Sequence, residues 1–116
     1  MSDMKRIDQN ARRSRALVHN GVVYLSGQVP DDRTVGIREQ ARTVLKKIDE
    51  LLAEAGTDKS RLLSAQVWLK SMEDFAAFNE VWDAWVVPGQ TPTRCCGKVE
   101  LNDPKCLVEI TSIAAL

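Results

Sequence analysis

Hydrophobic and polar residues alternate with two different periods along this chain, and the changes of period mark its elements. Leu17 to Gly27 is rich in β-branched and apolar residues on either side of Asn20-Gly21. Asn-Gly supplies the two positive φ angles of a type I′ turn, so this stretch predicts a β-hairpin. Its second strand ends at Ser26-Gly27-Gln28, because Pro30 cannot donate to a ladder. After a loop from Pro30 to Thr34 the period lengthens. Between Val35 and Ala55 the residues Ile37, Ala41, Val44, Leu45, Ile48, Leu51, Leu52 and Ala55 form one helical stripe. Arg38, Arg42, Lys46, Asp49 and Glu50 fall largely off it. Gly56 is a natural helix stop, since it tolerates the left-handed conformation.

From Leu63 to Lys70 the period returns to two. Leu63, Ala65, Val67 and Leu69 alternate with more polar partners, which predicts a half-buried strand. Ser71 followed by Asp74 resembles a capping box and opens a second helix, from about Met72 to Val86. Phe75, Phe78, Trp82 and Trp85 lie on one face of it, a stripe that reads as core packing. Pro88-Gly89 and Pro92 break the chain. Two further strands, Thr93 to Leu101 and Cys106 to Ala114, are joined by a turn at Asn102-Asp103-Pro104. The predicted order is hairpin, helix, strand, helix, hairpin. Two amphipathic helices need one face of a mixed sheet, which gives a two-layer α+β domain spanning residues 1–116. The other sheet face is left to meet solvent or another subunit.

Composition narrows the function classes. The 44% hydrophobic and 28% charged residues are those of a soluble globular protein, so a packed core is expected. Sixteen basic residues balance sixteen acidic ones, and this leaves no overall footprint for nucleic acid or an anionic membrane. A local cluster at Arg12, Arg13 and Arg15 reads as a solvated N-terminal face. No apolar run approaches the roughly 18 residues that span a bilayer. The polar start lacks the apolar stretch of a signal peptide, so a cytoplasmic location is expected. Cys95, Cys96 and Cys106 are then expected as reduced thiols.

Few residues are candidates for chemistry. Gly27, Gly36 and Gly56 stand apart and form no phosphate loop. His19, the only histidine, sits beside the hairpin turn and reads as structural or solvated. Three cysteines and one distant histidine do not have the spacing of a metal site, so no metal and no cofactor are expected. Arg94 remains, at the start of a strand whose alternation puts Cys96 on its face and Cys95 on the other. Glu109 lies within the apolar run Leu107-Val108-Glu109-Ile110. A charge there must stay exposed, be paired or do chemistry. Spacing alone leaves open whether Arg94 and Glu109 form a structural ion pair or a working site.

Three stretches carry a resemblance: Tyr24-Leu25-Ser26-Gly27-Gln28-Val29-Pro30, Pro92-Thr93-Arg94-Cys95-Cys96, and Val108-Glu109-Ile110 with Ile113-Ala114 after it. Their order and spacing resemble the RidA family, also called the YjgF or L-PSP endoribonuclease family, over nearly the whole chain. Ser64 to Leu69 and Asp74 to Asn79 fit as well. His19-Asn20-Gly21, Asp58-Lys59-Ser60 and Trp82 to Val86 are similar to the shorter YoaB-like branch. The resemblance implies a chorismate-mutase-like fold. It also implies a homotrimer whose uncovered sheet faces meet, with clefts at the subunit boundaries. In deaminating members the arginine matching Arg94 binds the substrate carboxylate and the glutamate matching Glu109 helps position water. Groups near Ser26, Gly27 and Cys96 complete the site. The implied reaction is hydrolysis of small 2-imino acids to 2-keto acids and ammonia. A guanidinium can grip a carboxylate through two parallel bonds. Imines hydrolyse readily enough that positioning and modest proton transfer can suffice.

The chain also departs from the family pattern. Where family deaminases often carry a tyrosine ahead of the Ser-Gly pair, this chain has Arg13 beside Ser14, and the loop after Pro30 is shorter. A cation there is expected to favour substrates with a second carboxylate. Two rival readings belong to other classes: a ribonuclease or translation inhibitor, and a non-catalytic carboxylate-binding or chaperone-like trimer. Nothing near Cys96 in sequence marks a lowered thiol pKa, so no thiolate nucleophile is expected.

Overall fold

The structure is a computed structural model that describes residues 3–116. Six strands form one mixed sheet: β1 (Lys5–Gln9), β2 (Ser14–His19), β3 (Val22–Gln28), β4 (Leu62–Leu69), β5 (Thr93–Lys98) and β6 (Val108–Ala115). Two helices, α1 (Ile37–Ala55) and α2 (Phe75–Trp85), pack together on one face. The strand order is β1-β2-β3-β6-β4-β5. All pairings are antiparallel except β4 with β5, which α2 connects as a parallel pair.

The β2–β3 hairpin turns on Asn20 and Gly21, with φ of 50° and 75°, the left-handed pair that a type I′ turn requires. At the end of α1, Gly56 takes φ 94°. Its N–H donates to the Ala53 carbonyl, and that of Thr57 donates to Leu52, which closes a Schellman motif. The predicted helical stripe of α1 is buried throughout, and Gln40 is buried with it.

Four expectations change. The first strand, β1, was hidden in polar sequence because only Ile7 of its five residues is buried. The Arg12–Arg13 segment is therefore the turn of a hairpin, and both arginines are solvent-exposed on it as expected. Asn10 Oδ1 accepts from the N–H groups of Arg12 and Arg13 at 2.8 and 2.9 Å. Second, β5 and β6 do not pair. β5 is an edge strand, and residues 99–107 carry the chain past β4 to β6, which lies between β3 and β4. Hydrophobic pattern sets a strand's faces but not its partners. Third, a register shift between Leu62 and Ser64 turns Leu62 inward and leaves Leu63 exposed. Fourth, Ser71 caps a short 3-10 turn, Met72–Asp74, by accepting from the Glu73 N–H at 3.2 Å. As a result α2 begins three residues later than predicted, and Phe75 lies exposed outside the buried group of Phe78, Val81 and Trp82.

One buried amide ties the long connection to the helical layer. Gln40 is 1% exposed. Its Nε2 donates to the carbonyls of Val35 (3.0 Å) and Lys105 (3.1 Å), and its Oε1 accepts from the Leu107 N–H (2.8 Å). This fixes residues 105–107 against α1 just before β6 begins. Gln40→Leu keeps the volume but leaves those three main-chain groups without partners. It should cost roughly 2–4 kcal/mol in urea unfolding at fixed protein concentration. An unchanged midpoint would show that the amide does not hold the connection.

Candidate functional site

The site begins with an extra residue in β3. Leu25 pairs with Ser112 and Gln28 with Ile110, so Ser26 and Gly27 together oppose Thr111. This β-bulge lets Leu25 and Gln28 both turn toward the core. It also brings bare backbone at Gly27 against the side chain of Glu109. A Cβ added at Gly27 would overlap the carboxylate, 2.9 Å from its Cδ. A side chain at this position and the carboxylate in its present place exclude one another.

Glu109 lies between buried Val108 and Ile110 on β6 and opposite Trp68 on β4, so it points to the face without helices. It is half-buried in a hollow of about 240 Å³ whose other side chains include Arg33, Asn102, Asp103 and Cys106. Arg33 and Asp103 close one wall, with Nη1 2.7 Å from Oδ2. The Lys105 backbone N–H, and then Arg33, hold the Asp103 carboxyl below its ordinary range. Burial raises the Cys106 thiol above its usual value.

Arg94 lies on the opposite face of the sheet. It pairs in register with Ala65, and Cys96 pairs with Val67, both buried under the helices. Its Nη1 donates to Asn79 Oδ1 at 2.9 Å. The guanidinium carbon sits 5.2 Å from the Trp82 ring centroid and 5.9 Å from that of Phe78. An Arg94–Glu109 ion pair within one protomer, the alternative that spacing left open, is therefore not formed. The guanidinium is half-buried on an edge strand, held from behind by α2, and keeps further N–H donors. Cys96 is half-buried beside it. Burial raises its thiol above the usual value although Arg94 pulls the other way, which disfavours the thiolate there. Cys95 is exposed on the far face.

The remaining predicted residues cluster around the bulge. Gln28, 3% exposed, holds them: Nε2 donates to the Ser26 carbonyl (3.0 Å) and to Ser26 Oγ (3.1 Å), and Oε1 accepts from Arg15 Nη2 (2.9 Å). The Ser26 hydroxyl in turn donates to the Arg15 carbonyl at 3.3 Å. A second hollow, about 200 Å³, is lined by Arg13, Arg15, Ser26, Gly27, Gln28, Val29 and Lys47. It adjoins the Glu109 hollow along Gly27 and Val29. Ser14 pairs with Gln9 and does not line it. Within one protomer the fold thus gathers Ser26, Gly27, Glu109 and Arg13, and sets Arg94 and Cys96 apart.

Comparison with known proteins bears on this arrangement. Residues 4–116 match the family model described as Endoribonuclease L-PSP. The RutC family protein YoaB of Escherichia coli is 42% identical over 111 residues, covering 96% of each chain. A RutC family protein of Haemophilus ducreyi is 41% identical, covering 96% of this chain and 95% of its own. A crystal structure of a YjgF family member from Neisseria meningitidis superposes with a TM-score of 0.95 at 42% identity, covering 97% of this chain and 94% of that one. The chain belongs to the RidA/YjgF/L-PSP family. Its α+β fold, with one mixed sheet and two helices on one side, is that of its RidA/YjgF/L-PSP relatives. No helix among the described residues is long and apolar enough to cross a membrane.

Two residues that the pattern did not single out hold candidate residues in place: Gln28 holds Ser26 and Arg15, and Asn79 holds Arg94. Gln28 and Asn79 lie within the stretches that carry the resemblance, but nothing in the pattern gave either a partner. Each would have needed a partner across the fold to be recognised. The tight Gly27–Glu109 contact makes a direct prediction. Gly27→Ala should keep the fold and a near-native melting temperature, because the group that must yield is the end of a flexible side chain. A crystal structure of the variant should show the Glu109 carboxylate displaced. A carboxylate still in its original place beside the new methyl would contradict the packing described.

Proposed function

We propose that this protein hydrolyses small 2-imino acids to 2-keto acids and ammonia, in clefts formed where copies of the chain meet. The observation that carries the reading is the split of the two charged groups. Glu109 faces the sheet side without helices, and Arg94 sits at the free edge under α2. One protomer cannot bring them to a single small substrate, but an edge strand of one copy set against the Gly27–Glu109 hollow of another can. A homotrimer, in which each copy gives its edge to the next, closes such a ring.

In that cleft Arg94 grips the carboxylate, and the aromatic faces of Trp82 and Phe78 together with Asn79 hold the guanidinium plane in position. Glu109 holds a water against the C=N carbon and takes its proton as the C–O bond forms. That proton passes to the imine nitrogen and gives the tetrahedral carbinolamine; Glu109 then takes the hydroxyl proton and delivers it to the amino group, and the C–N bond breaks as the C=O bond forms, giving ammonia and the 2-keto acid. The bare backbone at Gly27 lets the reacting carbon come close to the carboxylate. The ribonuclease reading in the family model's name has less support, since equal numbers of acidic and basic residues provide no RNA track. A non-catalytic carboxylate binder would use the same Arg94 without turnover.

The direct assay generates 2-iminopropanoate with an amino-acid oxidase and follows its loss. Added protein should accelerate that loss, and sedimentation should give three copies per particle. Arg94→Lys keeps the charge but loses the two-bond fork. It should lower kcat/KM by about ten- to a hundredfold, the equivalent of roughly 1.5–3 kcal/mol. Glu109→Gln should lower turnover more than it weakens binding of a stable 2-keto acid. A stable monomer at micromolar concentration, or a folded Arg94→Ala protein that deaminates at the wild-type rate, would refute the proposal.

A further inference from the structure

The second hollow, beside the bulge, is not needed to hydrolyse a small monocarboxylic imine, yet it is the more elaborately built of the two. Three cations line it: Arg13, Arg15 and Lys47. Two of them are matched within the chain. Arg15 lies 3.6 Å from Asp8, and Lys47 lies 2.9 Å from Asp31 while also donating to the Val29 carbonyl at 2.8 Å. Arg13 spends Nη1 on the Asp8 main-chain oxygen at 2.9 Å and is in no ion pair among those of the described residues. The hollow therefore carries one positive charge in excess, on a guanidinium with donors to spare. Glu50 and Glu54 border a different hollow, which shares Arg15 and Lys47 but not Arg13, Ser26 or Gly27.

The Arg15 side of the hollow is fixed by a buried polar side chain. Gln28 is 3% exposed, and its amide holds both the Arg15 guanidinium and the Ser26 hydroxyl. Burying an amide to orient these two groups fixes cation and hydroxyl in place before any ligand arrives. Because this hollow adjoins the Glu109 hollow along Gly27 and Val29, a ligand whose reacting carbon lies over Gly27 can send a short side chain into it. We propose that this hollow is a subsite for a second carboxylate, so that the protein prefers dicarboxylic 2-imino and 2-keto acids of four or five carbons over monocarboxylic ones. The inference rests on the 2-imino acid reading above and names its substrate class.

Equilibrium titration with stable keto acids tests the subsite without relying on turnover. At low ionic strength 2-oxoglutarate or oxaloacetate should bind about tenfold more tightly than 2-oxobutanoate, and added salt should narrow the gap. Arg13→Ala should reduce that ratio by about three- to tenfold and Arg13→Glu further still. Arg12→Ala, an exposed arginine on the same turn that lines neither hollow, should leave it unchanged. Equal affinity for the two acid classes in the wild type, or a ratio insensitive to Arg13→Glu, overturns the subsite. If 2-oxobutanoate binds and its imine is hydrolysed with no preference for diacids, the subsite fails and the deaminase reading stands. If diacids bind preferentially but no imine is turned over, the subsite stands and the deaminase reading fails. If no keto acid binds, both fall.

Discussion

A six-stranded sheet has two faces to cover, and this chain supplies helices for one. Every side chain on a strand is assigned to the helical side or to the open side, and one extra or missing residue reverses the assignment. Arg94 and Cys96 fall on the helical side because they pair with Ala65 and Val67. Glu109 falls on the open side because its neighbours Val108 and Ile110 fill the core. The separation of the two charged groups follows from strand parity and pairing.

Two buried glutamine amides then shape the surroundings of Glu109 and of the bulge. Gln40 anchors the connection that leads into β6, and so fixes where Glu109 emerges. Gln28 stabilises the far end of the bulge, and so fixes Ser26 and Arg15. Each makes three hydrogen bonds, so neither leaves a costly unpaired group in the interior. Next to Gln28 in the chain lies Gly27, where a side chain would displace the Glu109 carboxylate. The two hollows are the space these constraints leave.

Much of this was legible in the residue pattern, and the failures have physical causes. The Asn20-Gly21 turn, the buried stripe of α1 and the Gly56 stop are local events, set within a few residues, and they appear where the pattern puts them. The helical layer on one side follows from helix count alone. Strand partners are non-local: nothing in Thr93 to Leu101 or Cys106 to Ala114 says that β4 will lie between them. β1 gave no signal because a strand with one buried residue looks like polar coil. The site was legible as residue types, with Arg94, Glu109, Ser26 and Gly27 marked by motif. The distribution of those residues over two faces needed the register, and so did the supporting roles of Gln28 and Asn79.

The central claim is that Arg94 of one copy and Glu109 of another serve the same substrate, and subunit mixing tests it most directly. Arg94→Ala and Glu109→Gln proteins, each inactive alone, are mixed in equal amounts, dissociated and reassembled. If a site takes its arginine and its glutamate from neighbouring copies, random assortment restores both groups in about a quarter of the sites, with a matching share of wild-type imine hydrolysis. Activity no higher than that of either variant alone, in reassembled hybrids of native size, would contradict a shared site.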